Sequence, residues 1–209
     1  MLTAKQLNIF QAFAKQPFGE FTRKALKETA KEKSNNALSL AVKAFTAKKL
    51  VLEKKVGRSS LFSLNWDNAN VYHYLALAND ARMSAILKRV IQIVRVVVDQ
   101  TTQFYSLVVF GSYAMGEQRE NSDVDIAVFI ENAALRRQVV AALKDAEMRS
   151  PLPLDAHVIT KEDMREMLRD TQGNLGKEIS CKHLIVHNPA IFYSILHEGI
   201  DHGFKVLYS

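Results

Sequence analysis

The chain has 209 residues, 48% of them hydrophobic and 24% charged, with a single cysteine and 28 Lys plus Arg against 22 Asp plus Glu, a formal charge of +6. A chain of this length can bury one or two cores, and with only Cys181 available no disulfide within it can brace them, which suits a reducing cytoplasm. The opening MLTAKQLNIF carries no apolar signal-peptide core, and the most apolar stretch, Ile86 to Val98, is interrupted by Lys88, Arg89, Gln92 and Arg95, so secretion and membrane partners are not expected.

The charge is unevenly placed: residues 1–84 hold 14 Lys/Arg and 6 Asp/Glu, whereas residues 85–209 hold 14 and 16. A basic first third suits attraction to a polyphosphate backbone, as it does a solvated lysine-rich surface. Leu7, Ile9, Phe10 and Phe13 place an apolar stripe on a first helix over Ala4 to Lys15, which Pro17 and Gly19 end. Thr22 can cap a second helix that carries Leu26 inward. Ser34 or Asn35 can cap a third, reaching Lys49, with Leu38, Leu40, Ala41, Ala44 and Phe45 at helical spacing. Val51 to Lys55 and Ser60 to Leu64 then read as two strands around Val56-Gly57-Arg58-Ser59, a hairpin turned by its glycine.

Three helices followed by a basic hairpin, with SNNALSLAVKAFTAKKLVLEKKVGRSSLFSLN at their end, resemble the winged helix-turn-helix family over residues 1–65. In such a module the third helix enters a major groove and the hairpin reaches phosphates beside it. The resemblance then implies that Asn35, Asn36, Ser39 and Lys43 face bases or phosphates of duplex DNA and that Lys54, Lys55 and Arg58 lie on its backbone. A module that docks proteins or orients a second domain is the alternative. Residues 66–83 read as a connecting helix, in which Tyr72, Leu75, Leu77 and Ala78 are packing positions and Trp66 is a core or inter-domain residue.

A second domain is expected over residues 84–209. Leu87, Val90, Ile91, Val94 and Val98 mark a helix over residues 84–101, and Tyr105 to Phe110 reads as a buried strand that ends in Gly111-Ser112. Further strands are predicted over Asp123–Ile130 and Leu154–Ile159, with a helix over Ala133–Met148 between them and another over residues 189–204. This alternation makes an α/β or α+β domain on a small mixed sheet. Residues two apart on a strand share a face, so Asp123 and Asp125 place two carboxylates side by side while Val124, Ile126 and Val128 turn into a core. Neighbouring carboxylates repel and imply a cation between them. A Gly-Ser turn can offer N–H groups and a hydroxyl to a phosphate, and Asp155 can bring a third carboxylate from the next strand. That constellation suits two-metal phosphoryl transfer.

The run from Phe110 to Ile126, FGSYAMGEQRENSDVDI, resembles the signature of polymerase-β-like nucleotidyltransferases, most closely the minimal nucleotidyltransferases of prokaryotes. Gly111, Ser112, Gly116, Ser122, Asp123 and Asp125 match it, and Asp155 is the candidate for the family's third carboxylate. Tyr113 and Met115 stand where minimal members often carry arginine. By resemblance, Gly111 and Ser112 hold the triphosphate of an NTP, Asp123 and Asp125 coordinate Mg²⁺ or Mn²⁺, and Asp155 acts on the attacking hydroxyl. Arg119 can neutralise phosphate charge or serve as an exposed structural arginine. The reaction implied is transfer of NMP to an acceptor hydroxyl on a helical toxin-like protein, a small molecule or an RNA end. The alternative is a non-enzymatic DNA-binding regulator or antitoxin whose second domain binds nucleotide or a partner. His183 and His187, near Cys181 but lacking a second cysteine, read as packing or surface histidines. His157, two residues beyond Asp155, is a surface histidine or a support for it.

Overall fold

The computed structural model describes residues 1–208, which form two compact units, Met1–Ala81 with Tyr208, and Arg82–Leu207. No helix among the described residues is long and apolar enough to cross a membrane.

The first unit runs α1 (Ala4–Lys15), β1 (Phe21–Thr22), α2 (Arg23–Thr29), α3 (Asn35–Ala47), β2 (Val51–Val56), β3 (Ser59–Leu64) and α4 (Asn70–Asp80). Each of the first three helices starts on a hydroxyl cap. The Thr3 hydroxyl accepts from the Gln6 N–H and the Thr3 N–H donates to the Gln6 side-chain oxygen in return, while Thr22 accepts from Ala25 and Ser34 from Ala37. Phe10, Phe13, Phe45 and Phe62 are fully buried, with the Phe10 and Phe45 rings edge to face at 5.4 Å. β1 pairs with β3 through Phe21 and Phe62, giving an antiparallel sheet in the order β1-β3-β2. Gly57, at φ +59°, turns the β2–β3 hairpin. α4 packs against α1, and Trp66 stacks on Phe18 at 5.0 Å.

Two positions expected to pack are exposed instead. Leu40 is 57% exposed and Leu77 is 47% exposed, because Leu38, Ala41, Val42 and Phe45 suffice to fill the inner face of α3, as Val71, Leu75 and Ala78 do for α4. α3 also ends at Ala47, two residues short of the expected Lys49, where Lys49 turns to φ +53°.

The second unit runs α5 (Ala85–Asp99), β4 (Tyr105–Phe110), α6 (Gly111–Met115), β5 (Val124–Ile130), α7 (Arg136–Arg149), β6 (Leu154–Thr160), α8 (Lys161–Arg169), α9 (Leu175–Cys181), β7 (His183–His187) and α10 (Pro189–Asp201). The sheet order is β6-β5-β4-β7, with β5 and β6 parallel and the other pairs antiparallel, so it is mixed. Both faces are covered. Val124, Ile126 and Val128 meet α5 and α7 in one core, while Phe129, on the opposite face, packs on Phe192 of α10 at 5.1 Å.

Several boundaries differ from expectation: the connecting helix expected over 66–83 is confined to Asn70–Asp80 and the helix expected over 84–101 to Ala85–Asp99. β5 begins at Val124 and leaves Asp123 just outside it, the helix before β6 starts with a 3₁₀ turn over Ala133–Leu135, and α10 ends at Asp201 where residues 189–204 were expected. His183 and His187 lie on a strand: His183 is buried, with Nδ1 2.8 Å from the Ile179 carbonyl and Nε2 3.1 Å from the Tyr193 hydroxyl. Burial pushes its pKa down to about 4.

Candidate functional site

The loop from β4 into β5 carries the chemistry. β4 is buried along its whole length and delivers the chain to Gly111 at φ +64°, where α6 starts. A Cβ at Gly111 would stand 2.1 Å from Asp125 Oδ2 and 2.9 Å from its Cγ, so the carboxylate of Asp125 occupies the space a side chain would need. The first glycine of the motif is therefore demanded twice, by its backbone conformation and by the carboxylate lying against it. Gly116, at φ +74°, ends α6 in the left-handed conformation and donates its N–H to the Ser112 carbonyl. Arg82 supports the far end of this short helix, its Nη2 2.7 Å from the Ala114 carbonyl.

The tight turn before β5 delivers Asp123. Ser122 accepts from the Arg119 N–H at 2.8 Å and returns its own N–H to the Arg119 carbonyl at 3.1 Å. The Ser122 hydroxyl is thus engaged in forming the turn, and the Arg119 side chain is exposed. Asp125 and Asp155 are register partners on the parallel strands β5 and β6, and since residues i and i+2 share a face, Asp125 lies with Ala127 and Asp155 with His157. His157 Nε2 is 3.3 Å from Asp155 Oδ1.

The electrostatics converge on Asp125. Its pKa is raised above the ordinary 3.8, first by burial and then by the negative charges of Asp155, Glu178 and Asp123, against which His157 acts weakly. Glu178, on α9 and exposed, lies 53 residues beyond Asp125 and belongs to no motif; only the fold reveals its proximity. Among the described residues, no three His, Cys, Asp or Glu side chains stand close enough together to form a metal cage. The carboxylates fit a different kind of metal site, an open acidic one in which substrate phosphates complete the coordination of a hard cation.

The basic residues of the first unit divide. Asn35, Asn36, Ser39 and Lys43 are all exposed on one side of α3, with Leu40 among them. Cations of α2 not singled out from the sequence join them: Lys27 Nζ lies 2.6 Å from Asn35 Oδ1, and Arg23 Nη1 lies 3.3 Å from Ser39 Oγ. These residues, with Lys24 and Leu38, line a hollow of about 340 Å³. In the hairpin, Lys54 and Lys55 are consecutive on β2 and point to opposite faces, so only one of them can share a face with α3. Arg58 is exposed at the turn.

A family model described as polymerase beta, nucleotidyltransferase, matches residues 91–201, which contain the whole Gly-Ser and Asp-x-Asp arrangement. The chain belongs to the polymerase beta nucleotidyltransferase family. Its second unit is thus a nucleotidyltransferase domain, small and mixed-sheeted, preceded by a largely helical N-terminal region. No curated protein matches the sequence. A crystal structure of a toxin-antitoxin with AMP-PNP is similar at 15% identity, covering 53% of this chain and 84% of that one, with a TM-score of 0.36, too distant to inform the reading of the site.

Proposed function

We propose that the second unit transfers NMP from an NTP to an acceptor hydroxyl, whose oxygen bonds the α-phosphorus as the bond to the β-phosphate breaks and pyrophosphate leaves, with Asp123, Asp125 and Asp155 as its catalytic carboxylates. The observation that carries this reading is the packing of Asp125 against Gly111, beside the exposed Asp123 and in register with Asp155. This brings the start of α6 and the acidic strands to one place. There Gly111, Ser112 and Gly116 form the turn that receives the triphosphate, and the exposed Arg119 adds a cation at its rim. Asp123 and Asp125 would hold Mg²⁺ or Mn²⁺, while Asp155, with His157 Nε2 beside it at 3.3 Å, accepts the proton of the attacking hydroxyl. When bound, the cation supplies charge neutralisation at the phosphorus under attack. Ser122 acts through the turn that presents Asp123.

The first unit supports a second role. Its element order and its β1-β3-β2 sheet favour a winged helix, and the exposed polar side of α3 beside Arg23, Lys24 and Lys27 favours duplex DNA as its partner. The test pairs two assays on the same protein: incorporation of label from α-labelled NTPs into candidate protein, RNA and small-molecule acceptors, and binding of labelled duplex over a salt series. Incorporation that disappears in Asp125→Asn supports the enzyme. DNA binding with no incorporation into any acceptor favours the non-enzymatic regulator.

A further inference from the structure

A second hollow is lined by α8, α9 and the end of α10. α8, the loop over residues 170–174, the start of α9 and the chain at the end of α10 enclose a cavity of about 530 Å³, within the range of small-molecule sites. None of the residues proposed for nucleotide transfer lines it. Its charged lining is four cations, Arg165, Arg169, Lys177 and Lys205, against two carboxylates, Asp170 and Glu198.

Both carboxylates are already engaged. Glu198 is held by Lys161 at 3.0 Å and by Arg165, and these cations keep its pKa low. The Asp170 side chain accepts the Gln172 N–H at 3.0 Å, which turns it onto its own loop. Lys177 donates to the carbonyls of Asp170 and Gln172, which fixes the ammonium, and after the Gln172 N–H its charge helps to lower the pKa of the Asp170 carboxyl. Arg169 and Lys205 are exposed at the cavity, and no ion pair engages either of them among the described residues. Beside the cations stand Leu168, Phe204 and Leu207, an apolar surface against which a flat ring can lie.

We infer that this cavity binds a mononucleotide-sized phosphate ligand without a metal ion, its phosphate on Arg169, Lys177 and Lys205 and its base on Phe204. Cations here perform the neutralisation that carboxylates, at the transfer site, can achieve only through a divalent ion. The two sites therefore respond oppositely to chelation, and the inference stands whether or not the transfer reading does.

Calorimetric titration with AMP and with pyrophosphate, both in EDTA, tests it. Wild-type protein binds AMP, and binding weakens with added salt. Arg169→Ala combined with Lys205→Ala, both exposed positions, lowers affinity for both probes by at least about 10-fold, since each charge-assisted hydrogen bond carries about that factor. Arg169→Lys with Lys205→Arg retains most of it. Phe204→Ala weakens AMP and leaves pyrophosphate unchanged. Absence of AMP binding in EDTA, unchanged affinity in the double alanine variant, or loss of binding in Asp125→Asn would each overturn the assignment. Pyrophosphate binding without AMP binding would overturn the place given to the base.

Discussion

The acidic loop of the second unit and the basic side of the first are built on opposite principles. At Gly111 the backbone sits at positive φ and the Asp125 carboxylate fills the space of a side chain, so geometry prescribes each residue. On α3 and the hairpin, the polar residues are exposed and only their charge and side of the element matter. A preorganised site reacts steeply to single substitutions, whereas an electrostatic surface responds in increments and to salt.

The largest effect that would break this contrast is at the carboxylates. Asp125→Asn and Asp123→Asn are expected to reduce NMP incorporation by more than the roughly 10 to 100-fold that loss of an outer partner of a metal site costs, measured as initial rates at saturating NTP and metal. Next comes Gly111→Ala, which forces a Cβ onto Asp125 in a left-handed backbone. It should lower stability by about 1 to 3 kcal/mol in chemical denaturation and reduce incorporation with it. An alanine tolerated in both assays would show that the loop is no more exacting than the hairpin.

His183, buried on β7 as the register partner of Phe110, supplies an internal reference for the effect of pH on the fold itself. Its folded pKa of about 4 lies below its ordinary 6.5, so the unfolded chain binds the extra proton. Stability is then fully present above pH 6.5 and is lost as pH falls toward about 4, by up to about 3 kcal/mol from this residue. His183→Gln should remove that slope from a pH series of urea unfolding curves. The smallest steps belong to the basic side. Lys54→Ala, Lys55→Ala and Arg58→Ala should weaken duplex binding alike for all sequences, each phosphate contact removed taking about one unit from the salt slope. Because Lys54 and Lys55 point to opposite faces, one of the two should contribute much less than the other.

The sequence disclosed these regions unequally, for physical reasons. α1, α2 and α3 were legible because hydroxyl caps and apolar spacing mark their starts and inner faces. The strand that carries Asp125 was legible because apolar alternation marks it, whereas its start was not, since the turn held by Ser122 and Arg119 keeps Asp123 outside β5. β1 escaped because two residues carry no periodicity, and their strand character comes from pairing with β3. β7 follows directly on the short helix α9, and its strand character, with that of His183 and His187, comes from pairing with β4. Leu40 looked like core because helical spacing cannot show that its neighbours already fill the inner face. Glu178 escaped for a related reason: its influence on Asp125 crosses 53 residues of chain and leaves no local pattern.

Whether Asp123 and Asp125 hold a nucleotide through a divalent cation can be measured without knowing the acceptor. Mn²⁺ binding in the presence of a non-hydrolysable NTP, followed by electron paramagnetic resonance, should show protein-bound metal in the wild type and at least about 10-fold weaker binding in Asp123→Asn and Asp125→Asn. Equal Mn²⁺ affinity in wild type and both variants would contradict it.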